Sequence, residues 1–163
     1  VAARKINLKD HIIKASAQKL PFKKESFDAI TAISVIEHLT TGQAKKLIFE
    51  AKRVLKPGGF IFLVTPNFST PIRFIQEKSW FGYSDPTHIT FYTSNSLKKL
   101  LKSYDFYNLK TLFRLRWLNS LNWEFPPPFE KIPSFLKHFA VFLLFASPLS
   151  FLRNSIWIYA EKK

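Results

Sequence analysis

The sequence predicts an α/β protein built on a doubly wound, mostly parallel sheet, and three observations carry that prediction. Phe27 to Ser34 and Phe60 to Thr65 are continuous apolar runs of strand length, the pattern of strands covered on both faces. Between them Ala44, Leu47, Ile48, Ala51, Val54 and Leu55 recur at the three-and-four spacing of one helix face. Lys56-Pro57-Gly58-Gly59 then stops that helix, with a lysine near the negative end of the dipole and residues that cannot continue it. A strand, a helix and a strand in this order call for a right-handed crossover between parallel neighbours.

The remaining elements follow in order. Val1 to Leu8 reads as the end of a helix, and His11 to Ser16 as a short strand by its β-branched pair. Ala17 to Ser26 is a loop, because Pro21 and the charged turn after it cannot extend a strand. Thr41 is the expected N-cap of the helix that precedes Lys56. Thr93 is placed to cap a second helix with Leu97, Leu100, Leu101 and Tyr104 on its apolar face. Tyr107 to Trp117 alternates as a strand, and Ser155 to Lys163 closes the chain as another.

With 163 residues, 47% of them hydrophobic, the chain suits one domain. Its expected parts are a cofactor-side core (1–67), an acceptor loop, helix and strand (68–117), an apolar insertion (118–154) and a final strand (155–163). The absence of cysteine excludes disulfides, thiolate metal sites and cysteine nucleophiles, and it fits a cytoplasmic setting. A net charge of +14 favours acidic partners, but the lysines are scattered rather than gathered into a tail, so nucleic acid ranks low as a partner.

Aromatic residues divide the chain more sharply than charge. Every Trp and Tyr, and 13 of the 18 Phe, lie after Asn67. The segment from Asn67 to Tyr92 has too many aromatic and turn residues for a mere linker and reads as a lid or acceptor pocket. Residues 132–152 are the most apolar part of the protein but are broken by Lys137, His138 and Pro148. Three readings stay open for them: a helix packed over the sheet, an interfacial helix on a membrane surface, and a span.

Ligands of open α/β sheets sit outside the carboxyl ends of the strands, which here means Ser16-Ala17, Ser34 to His38, and Thr65 to Asn67. Three stretches in this order, Ala15 to Ile30, Ile33 to Leu39 and Ala51 to Asn67, resemble the class I S-adenosylmethionine-dependent methyltransferases, in particular the small type 11 group. A fourth, Asp85 to Phe106, is similar to the segment that follows strand five in that group. The resemblance implies a Rossmann-like fold whose last two strands pair antiparallel at the sheet edge, with S-adenosyl-L-methionine as cofactor. It also implies that the domain is incomplete at its N-terminal end, because the glycine-rich first strand and turn have no counterpart here.

The same resemblance places the adenine beside Ser16, Ala17 and Gln18, with Ser16 where the family commonly has an Asp. It places the methionine part of the cofactor near Ser34 and Val35. His38 and His88 are the candidate bases, and Glu37, Asn67, Trp80, Tyr83 and Asp85 the candidate acceptor-side residues. Asp85 and Thr90 are positioned to orient His88, while Glu37 and His38 either brace the turn or line the pocket. No metal is expected, since Ser34 adds no carboxylate to the Glu37-His38 pair. The function implied is methyl transfer to a small or lipid-linked acceptor, on oxygen by family-level preference. A non-catalytic module that binds a partner or membrane, and RNA methylation, are the alternatives.

Overall fold

The computed structural model describes residues 12–112, 133, 135–136, 139 and 154–163. The first strand, β1, is Phe27–Ile33. A single 3-10 turn, Ile36–His38, leads into helix α1, Thr41–Val54. Strand β2 runs Leu55–Pro66 and is followed by short helices α2, Ile72–Gln76, and α3, Phe81–Ser84. Helix α4 is Ser94–Lys102, and strands β3, Phe106–Leu112, and β4, Ser155–Lys162, complete the described elements.

These strands form one mixed sheet in the order β1-β2-β4-β3. β1 and β2 are parallel, while β4 pairs antiparallel with both β2 and β3. The parallel pair joined through α1, and the antiparallel edge built from the two last strands, follow the sequence expectation. Parallel pairing also puts the ends of β1 and β2 at the same edge, so that Ser34 and Asn67 leave the sheet side by side.

Helix α1 forms because its apolar residues share one face and because Thr40 and Gln43 close a capping box at its start. The cap is therefore Thr40, one residue before the expected Thr41. Ala44, Leu47, Ile48 and Ala51 bury that face against Ile61, Leu63, Ile158 and Ala160 of the sheet. Thr93 caps α4 as expected, with a reciprocal bond to Ser96. Leu97 and Leu101 enter the same core as α1, so both helices cover one face of the sheet.

Several expectations need correction. Ile12 to Ala15 are exposed and form no strand, since no neighbouring strand among the described residues offers them a ladder. Among the described residues β1 is the outermost strand and is not covered on both faces, with Asp28, Ala29, Thr31 and Ile33 exposed. The helix does end just before Lys56 to Gly59, as expected, but those residues already belong to β2, which starts at Leu55, with Gly58 supplying a positive φ of 76°. Gly59 is obligatory there, as a Cβ would lie 2.9 Å from the Asp28 carbonyl.

Val1 to His11 and most of 113–153 lie outside the described residues, and with them the expected N-terminal helix, the far end of the Tyr107–Trp117 strand and most of the apolar insertion. Within that insertion Phe135, Leu136 and Phe139 are helical and exposed. Among the described residues no helix is long and apolar enough to cross a membrane.

Candidate active site

At the carboxyl edge of the sheet β1 ends on Ser34, whose φ of 52° turns the chain sharply while its N–H still donates to the Val64 carbonyl at 3.0 Å. A non-glycine residue in this region is held against its preference, and such strain gathers at functional turns. The turn delivers Ile36 and Glu37 inward and leaves His38 half-buried.

Glu37 is only 1% exposed, although its position at the strand end did not require burial. Its Oε2 accepts from the Thr65 hydroxyl at 3.0 Å, which ties the ends of β1 and β2 together. Its Oε1 is buried without a hydrogen-bond partner. Its backbone carbonyl accepts from both Ile89 N and Thr90 N at 3.0 Å, and the Thr90 hydroxyl donates to the Leu39 carbonyl at 2.6 Å. The segment Ile36 to Leu39 and the segment Asp85 to Thr90 are thus fastened to each other across some fifty residues of sequence.

That fastening brings His38 and His88 into ring contact, with centroids 4.6 Å apart. His88 Nδ1 lies 3.0 Å from the Gly82 carbonyl, which can only accept, so Nδ1 carries the hydrogen and Nε2 of the neutral ring a lone pair. That Nε2 stands 4.0 Å from Glu37 Oε1 and 3.8 Å from Asp85 Oδ2, beyond hydrogen-bond reach of either. The His38 Nδ1 faces the Thr87 carbonyl at 3.2 Å and the Thr87 hydroxyl at 2.8 Å. Because that hydroxyl donates to Asp85 Oδ1 at 2.6 Å, His38 is also protonated on Nδ1.

Asp85 is held below the usual carboxylate range, first by the Thr87 hydroxyl and then by the Thr87 backbone N–H. The expected orienter Thr90 turns away to Leu39, and Gly82 supplies the carbonyl that fixes His88 instead. The Tyr92 phenol is raised by burial first and by the charge of Glu37 second, and its Oη is buried with no partner.

The other acceptor-side candidates fall in different places. Trp80 is fully enclosed, with Nε1 donating to Asn154 Oδ1 at 3.1 Å, and it shapes the site by packing. Gly82 must be glycine, because a Cβ there would sit 2.1 Å from the Trp80 ring. Tyr83 is exposed, stacks edge-on to Trp80 and Phe91, and accepts from Arg73 at 3.1 Å. Asn67 is buried at the end of β2, where its side-chain oxygen accepts from Ser69 and its N–H donates to the Asn154 carbonyl.

The cofactor-side candidates form a separate group. Ser16 to Lys19 make a tight turn in which Lys19 N donates to Ser16 O at 3.0 Å and Gln18 N to Ser16 Oγ at 3.2 Å. Ser16 is exposed, and Ala17 packs at the margin of the core. Below this turn, Arg53 donates to the Leu20 and Phe22 carbonyls, and Glu50 accepts from Leu20 N at 2.8 Å. Arg53 and Glu50 are themselves paired at 2.8 Å, and Arg53 is the first cause of a lowered Glu50 pKa. Glu50 and Arg53 on α1 support the segment after this turn, and sequence reading missed them. Glu50 flanks the apolar stripe, three residues after Leu47, and Arg53 lies one turn further on.

Comparison with known proteins agrees with this fold. The family described as "Methyltransferase domain" matches residues 1–63. Over 53 residues the chain is 43% identical to tRNA (carboxymethyluridine(34)-5-O)-methyltransferase of Arabidopsis thaliana, covering 32% of this chain and 13% of that protein. Over 109 residues it is 34% identical to an uncharacterized protein of Methanocaldococcus jannaschii, covering 63% of this chain and 51% of that one. In these matches the chain spans about half of its relative's length or less.

A solved SAM-dependent methyltransferase from Thermotoga maritima, titled a possible histamine N-methyltransferase, superposes with a TM-score of 0.60 at 20% identity, covering 93% of this chain and 63% of that one. At such identity the superposition speaks to the fold, which is the Rossmann-like fold of class I methyltransferases. The family match over residues 1–63 and the shared architecture agree with the methyltransferase fold that the sequence resemblance implied. The cofactor of that class is S-adenosyl-L-methionine.

Proposed function

We propose that the chain takes part in methyl transfer from S-adenosyl-L-methionine to a small or lipid-linked acceptor whose nucleophile is presented at Glu37, His38 and His88. The observation that carries this reading is the fastening of the Ile36–Leu39 turn to the Asp85–Thr90 loop. It sets two imidazoles and a buried carboxylate at the strand edge where the fold keeps its site. The turn at Ser16, Ala17 and Gln18 and the strained turn at Ser34 and Val35 are read as the cofactor side.

The protein's task in this reaction is modest, because the sulfonium methyl is already electrophilic. It must align donor and acceptor and accept a proton from the acceptor. Both ring Nε2 atoms carry lone pairs and suit that second task. The hydroxyl acceptor implied by the sequence resemblance is one such nucleophile. The tRNA-modifying relative supports a second reading, RNA as acceptor, to which the net charge of +14 is congenial.

Calorimetric titration with S-adenosylhomocysteine tests the cofactor side. Saturable one-to-one binding is expected, and Ser16→Trp, at an exposed position that leaves the core intact, should abolish it. Undiminished binding by that variant would remove the turn from the cofactor site, and no binding by the folded native chain would refute the reading for this polypeptide.

A further inference from the structure

The hydrogen-bond balance of the acceptor end is lopsided. Glu37 Oε1 is buried and unpartnered, and His88 Nε2, four ångströms away, carries a lone pair once Nδ1 donates to Gly82. Asp85 Oδ2 faces the same nitrogen at 3.8 Å, and Asp85 stays ionised because Thr87 serves its other oxygen. His38 is fixed in the same tautomer by Thr87, so its Nε2 is a lone pair too. With both rings neutral, acceptors converge here and the nearest pairs stand 3.8–4.0 Å apart, beyond direct hydrogen bonding, and a buried acceptor left unmet is costly. The Tyr92 hydroxyl, though close enough to feel the charge of Glu37, is bonded to nothing.

Spacing decides what kind of group completes such a cluster. One ligand atom from each of Glu37, His38 and His88 lies within 4.8 Å of the others. A single point within roughly 2.8 Å of all three follows from that limit, and this is the length of an N–H hydrogen bond. A transition metal would bind at about 2.0–2.2 Å. Across the 4.0 Å between Glu37 Oε1 and His88 Nε2, that would force an angle at the metal wider than the tetrahedral one.

A hydroxyl fits the spacing but brings one hydrogen to several lone pairs, and its own lone pairs oppose the rest. An amine brings two N–H groups, or three and a positive charge, opposite an ionised Asp85 and the buried Glu37. We propose that the acceptor is a primary amine seated between Glu37, His38 and His88. This rests on the methyltransferase reading above and replaces the expectation of an oxygen acceptor. The nitrogen lone pair attacks the sulfonium methyl, and the C–S bond breaks with its electrons staying on sulfur. The surplus N–H proton passes to His88 Nε2. Half-buried His38 and the partly exposed Asp85 side chain open the cluster to solvent, and Tyr83 and Phe91 offer exposed rings on the same loop.

The test follows the imidazole 1H–15N resonances of His38 and His88 while benzylamine or benzyl alcohol is titrated into the chain, with and without S-adenosylhomocysteine. Benzylamine should move both rings saturably at a concentration at least tenfold below that needed for the alcohol. Glu37→Gln, which keeps an oxygen for Thr65, should bring the two probes to within about twofold of each other. Equal or better binding by the alcohol would overturn the proposal, as would no response to either probe. A stoichiometric response to zinc chloride with none to benzylamine would overturn it in favour of a metal. Because the readout needs no methyl transfer, its failure is separate from a failure to bind S-adenosylhomocysteine.

Discussion

The proposed acceptor end and the proposed cofactor end are held in opposite ways. At the acceptor end, Glu37 bonds through its side chain to β2 and through its carbonyl to the loop at Ile89 and Thr90, and Trp80 locks the adjoining turn from inside. At the proposed cofactor end, Ser16 to Lys19 are closed by their own short turn, and the segment that follows is supported from beneath by Glu50 and Arg53. Catalytic geometry suffers from displacements of an ångström or less, so the rigid arrangement belongs where the nucleophile is aligned. A surface turn suffices for an adenine edge, which asks for backbone hydrogen bonds more than for fixed side chains.

The largest effect should come from breaking the rigid end. Trp80→Ala empties the space that Gly82 was made glycine to leave, and is expected to cost about 3–5 kcal/mol in denaturant unfolding. A loss under 1 kcal/mol would show that the loop is not packed as described. Thr65→Val should cost about 1–3 kcal/mol, because it leaves both oxygens of a buried carboxylate without a donor. It should also weaken the His38–His88 contact, seen as a change in imidazole chemical shifts.

The support of the cofactor end is expected to be acid-labile. The folded pKa of Glu50 is lowered, chiefly by Arg53, so its stabilisation is full above the ordinary glutamate value of about 4.3 and is lost as pH falls through the lower folded value. Glu50→Gln should lower the melting temperature at pH 7 by about 4 °C, and that difference should vanish as the pH approaches 3. The smallest effect belongs to Ser34→Gly. Relief of a positive φ offsets the added freedom of glycine, and unfolding should change by less than about 1 kcal/mol.

The parts of this layout that the sequence disclosed are those written in local periodicity. α1, α4 and the run from Phe60 to Thr65 followed from apolar spacing, and both helix caps lay within one residue of Thr41 and Thr93. Placing Glu37 and His38 at the site edge needed only strand order and the rule for ligands of open sheets. The burial of Glu37 was not legible, since it depends on Thr65 arriving from the neighbouring strand. Nor was the meeting of His38 with His88, which depends on two backbone bonds to a carbonyl fifty residues away. Gly82 showed only as a turn residue, because the ring that makes it indispensable is placed by packing. Thr90 was read as the partner of His88 on closeness in sequence alone, and its hydroxyl instead serves Leu39.

Amide hydrogen exchange, measured with and without S-adenosylhomocysteine, tests the contrast between the two ends most directly. The account predicts that the amides of Ile89 and Thr90 are already protected in the free chain and hardly change. Those of Ala17, Gln18 and Val35 should exchange quickly when free and slow at least tenfold on binding. Protection that rises at Ile89 and Thr90 while Ala17, Gln18 and Val35 stay open would contradict it, placing the cofactor at the end assigned here to the acceptor.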